Sequence, residues 1–193
     1  MGQAQRGGLR TPLTQASSGS SSTVVAPLAS IAGDSDTGRM QVRLSVQQLF
    51  ADAPASVFAR SIDPRRFVAA FRGAGPIPAL TKIELLGEPA LGAQRAVHSS
   101  DGAVLHERIT AFEPGARHAY QLSGLRPPLT WLVSKGEADW RFALSPDGGT
   151  QVRWDYVFTL TTALVWPLAA PLLKLFMQRA MRECLQALAE GEG

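Results

Sequence analysis

The stretch QRAVHSSDGAVLHERITAFEPGARHAYQL, residues 94–122, decides the fold. Two turn signals divide it into three strand-like runs. Asp101-Gly102 is a strong two-residue hairpin signal. Pro114-Gly115 places Pro and then Gly where a type II turn favours them. If Asp101-Gly102 forms the whole loop, Ser100 faces Ala103, His98 faces Leu105, Ala96 faces Glu107 and Gln94 faces Ile109. If the second turn pairs Glu113 with Ala116, then Ala111 faces His118, Ile109 faces Tyr120 and Glu107 faces Leu122. The two readings agree on one inward face, carrying Gln94, Ala96, His98, Leu105, Glu107, Ile109, Ala111, His118, Tyr120 and Leu122. Arg95, His106, Arg108, Arg117 and Gln121 fall on the other. A one-residue slip would exchange the two sets, because side chains alternate strictly along a strand.

Working outward, Val42, Leu44 and Val46 alternate with polar residues as a first strand. Asp52 then precedes Pro54, and Asp63 precedes Pro64. Each pair reads as a helix start, with Asp accepting from orphan N–H groups and Pro tolerated in the first turn. Two short helices are expected over about 54–61 and 64–72, with Gly73 placed to cap the second. Residues 80–86 form a further strand. Residues 133–145 and 150–161 form a last hairpin. Placing Ala138, Trp140, Phe142 and Leu144 on one face with Val152, Trp154, Tyr156, Phe158 and Leu160 requires a five-residue loop or a bulge near Gly148-Gly149. The period then becomes helical. Leu173, Met177, Ala180, Cys184 and Leu188 share one stripe, away from Lys174, Gln178, Arg182, Glu183 and Gln186.

The chain has 193 residues, 45% hydrophobic and 18% charged, with a net charge of +3. That length suits one domain, and the balance is that of an ordinary globular protein. The arginines are scattered with no interleaved aromatics, so nucleic acid is not an expected partner. Cys184 is the sole cysteine. No intrachain disulfide can form, which fits a reducing compartment, and a cytoplasmic location is expected. Residues 1–38 are rich in Gly and Ser, with Val24 to Ile31 as a short apolar patch, and read as a disordered tail. The domain is expected over 39–190. Between Val157 and Phe176 only Lys174 is charged, a length that would suit a bilayer. Its first part alternates like a strand, and Pro167 and Pro171 interrupt the rest, so a membrane span is not expected.

The order is one strand, two short helices, a run of antiparallel strands and a long C-terminal helix. It resembles the START-like, helix-grip superfamily (SRPBCC), in particular its polyketide cyclase/dehydrase and lipid-transport branch. The resemblance is carried by Asp52-Ala-Pro-Ala-Ser-Val-Phe58, by His106-Glu-Arg-Ile-Thr-Ala-Phe-Glu-Pro114, by Trp140-Arg-Phe-Ala-Leu144 and by Gly149-Thr-Gln-Val-Arg-Trp154. It implies an α+β helix-grip fold: a curved antiparallel sheet wrapped around the C-terminal helix, with two short helices after the first strand. It also implies an apolar cavity for a lipid, polyketide or similar small hydrophobic molecule. Fold alone does not choose among binding, transport and catalysis.

The candidate chemistry follows from the register. Glu107 and His98 lie diagonally on one inward face, within reach of each other, and form the candidate catalytic pair. A buried structural pair is the plainer reading of the same residues. Tyr120, Trp140, Phe142, Trp154, Tyr156, Phe158, Phe176 and Met177 are the candidate ligand-binding residues, and each could equally fill the core. A metal site is not expected. His106 faces outward, while His98 and His118, on one face, lie about 20 Å apart along the strands. No phosphate-binding loop, nucleophile elbow or other cofactor motif is present. The greasy stretch Leu164 to Phe176 reads either as a buried helix start or as a lip for ligand entry or transient membrane contact.

Three functions remain at this point: binding or transport of a hydrophobic ligand, a cyclase- or dehydrase-type enzyme using Glu107 and His98, and a protein-interaction module. A large cavity without a convergent polar group favours the first. One with such a group favours the second. A filled interior beneath an exposed apolar patch favours the third.

Overall fold

The computed structural model describes residues 40–191. The expected tail, residues 1–38, lies outside them. Among the described residues seven strands form one sheet: β1 (Gln41–Phe50), β2 (Leu80–Leu85), β3 (Gln94–Ser99), β4 (Val104–Glu113), β5 (Arg117–Ser123), β6 (Val133–Leu144) and β7 (Thr150–Leu160). Their order across the sheet is β1-β7-β6-β5-β4-β3-β2. Every neighbouring pair is antiparallel. The inward residues of β1 and β7 alternate as the sequence predicts. Val42, Leu44 and Val46 are buried, and so are Val152, Trp154, Tyr156, Phe158 and Leu160.

Two short helices, α1 (Pro54–Ile62) and α2 (Pro64–Ala70), follow β1. Each opens on a proline, which needs no hydrogen-bond partner in a first turn. The expected caps divide. Asp63 caps α2 by accepting from the Arg66 N–H at 2.9 Å. Asp52 does not cap α1, because Ala53 occupies that position and makes no side-chain cap. Asp52 lies one residue too early and pairs instead with the Arg60 guanidinium. Gly73 does not cap α2 either, since the helix ends at Ala70 with Phe71 in the capping position, and Gly73 lies two residues beyond that, in a loop.

The C-terminal helical region begins with a 3-10 turn, Ala163–Val165. It continues as α3 (Trp166–Leu172), a π turn (Leu173–Met177) and α4 (Gln178–Glu190). Pro171 removes one backbone donor inside α3, and the π turn follows directly. The expected stripe holds: Leu173, Met177, Ala180, Cys184 and Leu188 are all buried. No helix among the described residues is long and apolar enough to cross a membrane.

The register of the central hairpins departs from expectation at two places. In the β3–β4 hairpin the Ser99 N–H donates to Ala103 O, so the loop holds Ser100, Asp101 and Gly102. Gly102 takes φ +78°, the left-handed position of a three-residue loop. Asp101 braces that loop by accepting from Ser99 Oγ at 2.6 Å and from the Ala103 N–H at 3.0 Å. The pairing therefore slips by one residue. Arg95 faces Glu107, Val97 faces Leu105 and His98 faces Val104. Arg95, Val97 and Ser99 point inward in place of Gln94, Ala96 and His98.

The β4–β5 turn is also one residue longer than expected, pairing Glu113 with Arg117. Here a bulge between Ile109 and Ala111 compensates. Ile109 still faces Tyr120 and Glu107 still faces Leu122, as expected. Beyond the bulge Ala111 faces Ala119, and Phe112 replaces it opposite His118. The last hairpin has the expected five-residue loop: Leu144 pairs with Thr150.

Candidate functional site

The inner face of β6 tapers. Trp140 and Phe142 are bulky, whereas Gly136 and Ala138 are small. At the bulky end the space is filled. Trp140 stacks on Trp154 with ring centroids 4.2 Å apart. Phe142 meets Phe58 of α1 at 5.3 Å. At the small end, Ala138 lies between Tyr120 and Tyr156, and Gly136 between Leu122 and Phe158. A side chain at Gly136 would approach the Tyr156 ring at 3.0 Å. The Tyr156 side chain thus covers Gly136, and beyond it a cavity of about 170 Å³ lies between sheet and helix.

Apolar residues dominate its wall: Val97, Leu105, Leu122, Trp154 and Phe158 from the sheet, and Leu172, Leu173 and Met177 from the helical region. Its outer end is marked by exposed Asp101, Arg126, Pro127 and Pro128. Its inner end carries three polar side chains, Glu107, Tyr120 and Tyr156, all buried.

Glu107 is 6% exposed, as is its partner Arg95. Arg95 Nε donates to Glu107 Oε2. The other carboxylate oxygen, Oε1, has no partner among the described residues and is not sealed from the cavity. Arg95 lies behind this carboxylate and does not itself line the cavity. Its guanidinium carbon lies 5.0 Å from the centre of the Tyr120 ring, a cation–π contact. Its Nη2 lies 3.3 Å from His118 Nε2. Arginine can only donate, so Nε2 accepts and the proton of the neutral imidazole sits on Nδ1.

Burial sets the electrostatics. It works against charge on Arg95 and is the largest single influence, but the Glu107 carboxylate, with Tyr120 and Tyr156 beside it, together outweigh it and the guanidinium is held above its usual range. His118 is pushed down to about 3, first by burial and then by the Arg95 charge. Burial, and after it the nearby anionic groups, raise the Tyr120 and Tyr156 hydroxyls well above the ordinary phenol. Both tyrosines therefore stay protonated and can donate or accept.

The expected pairing of Glu107 with His98 does not form. His98 lies on the opposite face, with its Nε2 3.6 Å from Glu84 Oε2. Of the candidate ligand-binding residues, Tyr120, Trp154, Tyr156, Phe158 and Met177 line the cavity. Trp140 and Phe142 pack in the filled end. Phe176 lies against Gly75, where an added side chain would meet its ring at 2.4 Å. Sequence reasoning missed Arg95. The available signal was Val97, a large apolar residue of β3, which would have turned 95, 97 and 99 inward. Among the described residues no group of three His, Cys, Asp or Glu side chains could hold a metal ion.

The family described as polyketide cyclase / dehydrase and lipid transport matches residues 41–191. No match is found among curated proteins. Among solved structures, Ara h 8.0201 aligns with a TM-score of 0.60 and 13% identity, covering 78% of this chain and 96% of that one. The Zhui aromatase/cyclase from Streptomyces sp. R1128 aligns at 0.61 and 16% identity, covering 78% and 92%. The di-domain aromatase/cyclase BexL of the BE-7585A biosynthetic pathway aligns at 0.61 and 15% identity, covering 80% of this chain and 51% of BexL. At these identities the likeness is one of fold.

Proposed function

This chain belongs to the polyketide cyclase/dehydrase and lipid transport family, and on that premise we propose that it binds a small hydrophobic molecule in the cavity between sheet and C-terminal helix, with residues 39–190 as the ligand-binding domain. The observation that carries this reading is the apolar cavity itself. Natural cores are packed to near-crystalline density with few voids. Here the space is bounded by Leu122, Trp154, Tyr156 and Phe158 of the sheet and by Leu172, Leu173 and Met177 of the helical region. An apolar wall with a few convergent polar groups is the usual make-up of a small-molecule site.

The enzyme reading has the convergent polar group that favours it, Glu107 with Tyr120 and Tyr156 at the inner end, and the aromatase/cyclase names of two similar structures. Against it, Glu107 is already engaged by Arg95 and its expected partner His98 faces away. Binding therefore ranks ahead of catalysis. The interaction-module reading loses support because the interior is not filled.

The lip supports a route for exchange. Leu164, Leu168 and Leu175, spread from the 3-10 turn through α3 to the π turn, are 89%, 63% and 62% exposed. Trp131 is also 68% exposed, and its carbonyl accepts from Thr161 Oγ1 at 2.8 Å, just ahead of the helical region. From Thr161 to Glu183 the charged residues are Lys174, Arg179, Arg182 and Glu183, and since Arg179 pairs with Glu183 at 2.7 Å the basic excess is carried by Lys174 and Arg182. Apolar side chains with a basic border suit transient contact with an anionic membrane surface.

Native mass spectrometry of the purified protein tests the binding reading, with an apolar molecule expected to co-purify. Leu105→Trp, which fills the cavity from its wall, should abolish that signal; a variant that folds and still retains the molecule would refute the site. Sedimentation with phosphatidylserine-containing vesicles tests the contact. Leu168→Glu/Leu175→Glu should stay in solution where the parent protein pellets, and equal pelleting would count against the lip.

A further inference from the structure

The inner end of the cavity carries more chemical information than its apolar wall, and its features bear on which hydrophobic molecule is bound. The first is size. A cavity of about 150 Å³ with an apolar lining is known to take benzene. At about 170 Å³, this one suits a single ring with a short substituent. The second is the arrangement of charge. The carboxylate of the buried ion pair borders the cavity, while the guanidinium lies behind it. Arg95 is held on three sides, by Glu107 Oε2, by His118 Nε2 and by the Tyr120 ring face. It cannot turn to meet an incoming anion without abandoning these partners, and a buried charge left without them is costly. The third is the free acceptor. Glu107 lines the cavity and its Oε1 has no donor among the described residues, and a hydrogen bond to a charged group is stronger than one between neutral groups.

We propose, resting on the cavity reading above, that the preferred ligand is a neutral, single-ring-sized hydrophobic molecule bearing one hydroxyl, which donates to Glu107 Oε1. The cavity thereby discriminates against carboxylates. A hydroxyl is the fitting group because it donates to Glu107 and still has lone pairs for a Tyr120 or Tyr156 hydroxyl. A carboxylate ligand has no proton to donate and would face Glu107 as a second anion in an apolar space. A plain hydrocarbon would fit the walls but leave the acceptor unmet. The reverse selectivity, for fatty-acid-like anions, would require the guanidinium to line the cavity.

The test uses three probes that share one ring and one ethyl group: 4-ethylphenol, ethylbenzene and 4-ethylbenzoate. Each is titrated calorimetrically into the full chain at neutral pH. The expected result is that 4-ethylphenol binds at least about tenfold tighter than either of the others, the scale of one hydrogen bond to a charged acceptor. In Arg95→Leu/Glu107→Leu the ion pair is replaced by apolar side chains, an exchange that buried pairs often tolerate. There ethylbenzene should still bind and the phenol should lose its advantage. If 4-ethylbenzoate equals the phenol in the parent protein, or the double variant keeps the phenol preference, the proposal is overturned while the cavity reading stands. If none of the three binds, the cavity reading falls and takes this one with it. Should the double variant fail to fold, the ratios measured on the parent protein decide.

Discussion

Replacing His118 with glutamine should flatten the acid dependence of stability. His118 is 4% exposed and accepts from Arg95 Nη2 through Nε2. Glutamine can present an amide oxygen to the same donor but does not titrate. In the folded protein the imidazole is held down to about 3, against 6.5 in an unperturbed chain. The sign follows from proton counting. Between those two values the unfolded chain takes up a proton that the folded protein refuses, so stability is lost as pH falls through 6.5 and continues to fall toward 3. Above 6.5 neither state is charged and the contribution is whole. From pH 7 to pH 5 the span below the unfolded value is roughly 1.5 units. At 1.36 kcal/mol per unit that is about 2 kcal/mol. Urea unfolding at the two pH values should therefore show His118→Gln losing about 2 kcal/mol less than the parent protein. Other ionisable groups are common to both chains and cancel. Equal losses would refute the reasoning, since they would mean that His118 is solvated or gains a counter-ion on acidification.

Three further outcomes are expected. Glu107→Gln leaves the buried Arg95 guanidinium without its anion and should cost about 3–5 kcal/mol in urea unfolding, whereas Arg95→Leu/Glu107→Leu should cost much less. Gly149→Ala forces a side chain onto a backbone at φ +75°, with the added carbon 2.2 Å from Phe50 O. It should lower stability by at least about 1–3 kcal/mol, and an unchanged melting temperature would count against that loop. Trp154 is 1% exposed and stacks on Trp140, so Trp154→Ala should cost about 3–5 kcal/mol by chemical denaturation.

Much of this protein is legible in its sequence because the relevant signals are local. Alternation in Val42–Leu44–Val46 and in Val152 through Leu160 names the inner face of two strands without any knowledge of the partner. The stripe from Leu173 to Leu188 names the buried face of the C-terminal helix in the same way. Asp63-Pro64 opens a helix where expected, since cap and proline act within one turn. Asp52-Pro54 looked alike and differs by a single residue, enough to turn a cap into an ion pair with Arg60. The cavity-lining aromatics of β5 and β7 were identified for the same reason as their strands, by alternation.

What lies between elements is different. Asp101-Gly102 satisfies a two-residue loop and a three-residue loop equally well, because both need Gly at positive φ and both welcome Asp. The choice depends on which face of β3 the rest of the molecule buries, and Val97 packs inward only in the longer loop. That one residue of slip puts Arg95 in place of Ala96 opposite Glu107 and turns the expected diagonal partner His98 to the other face, and so exchanges a proton-transfer pair for an ion pair. At the next turn a similar lengthening is cancelled by the bulge at Thr110, which no local pattern announces. The cavity is likewise a property of the assembled sheet: Leu105, Tyr120, Tyr156 and Phe158 come from three strands, and only their meeting with Leu172, Leu173 and Met177 of the helical region encloses it. Periodicity within one element is written in its own residues, whereas register and empty space are settled by neighbours that meet only once the chain has folded.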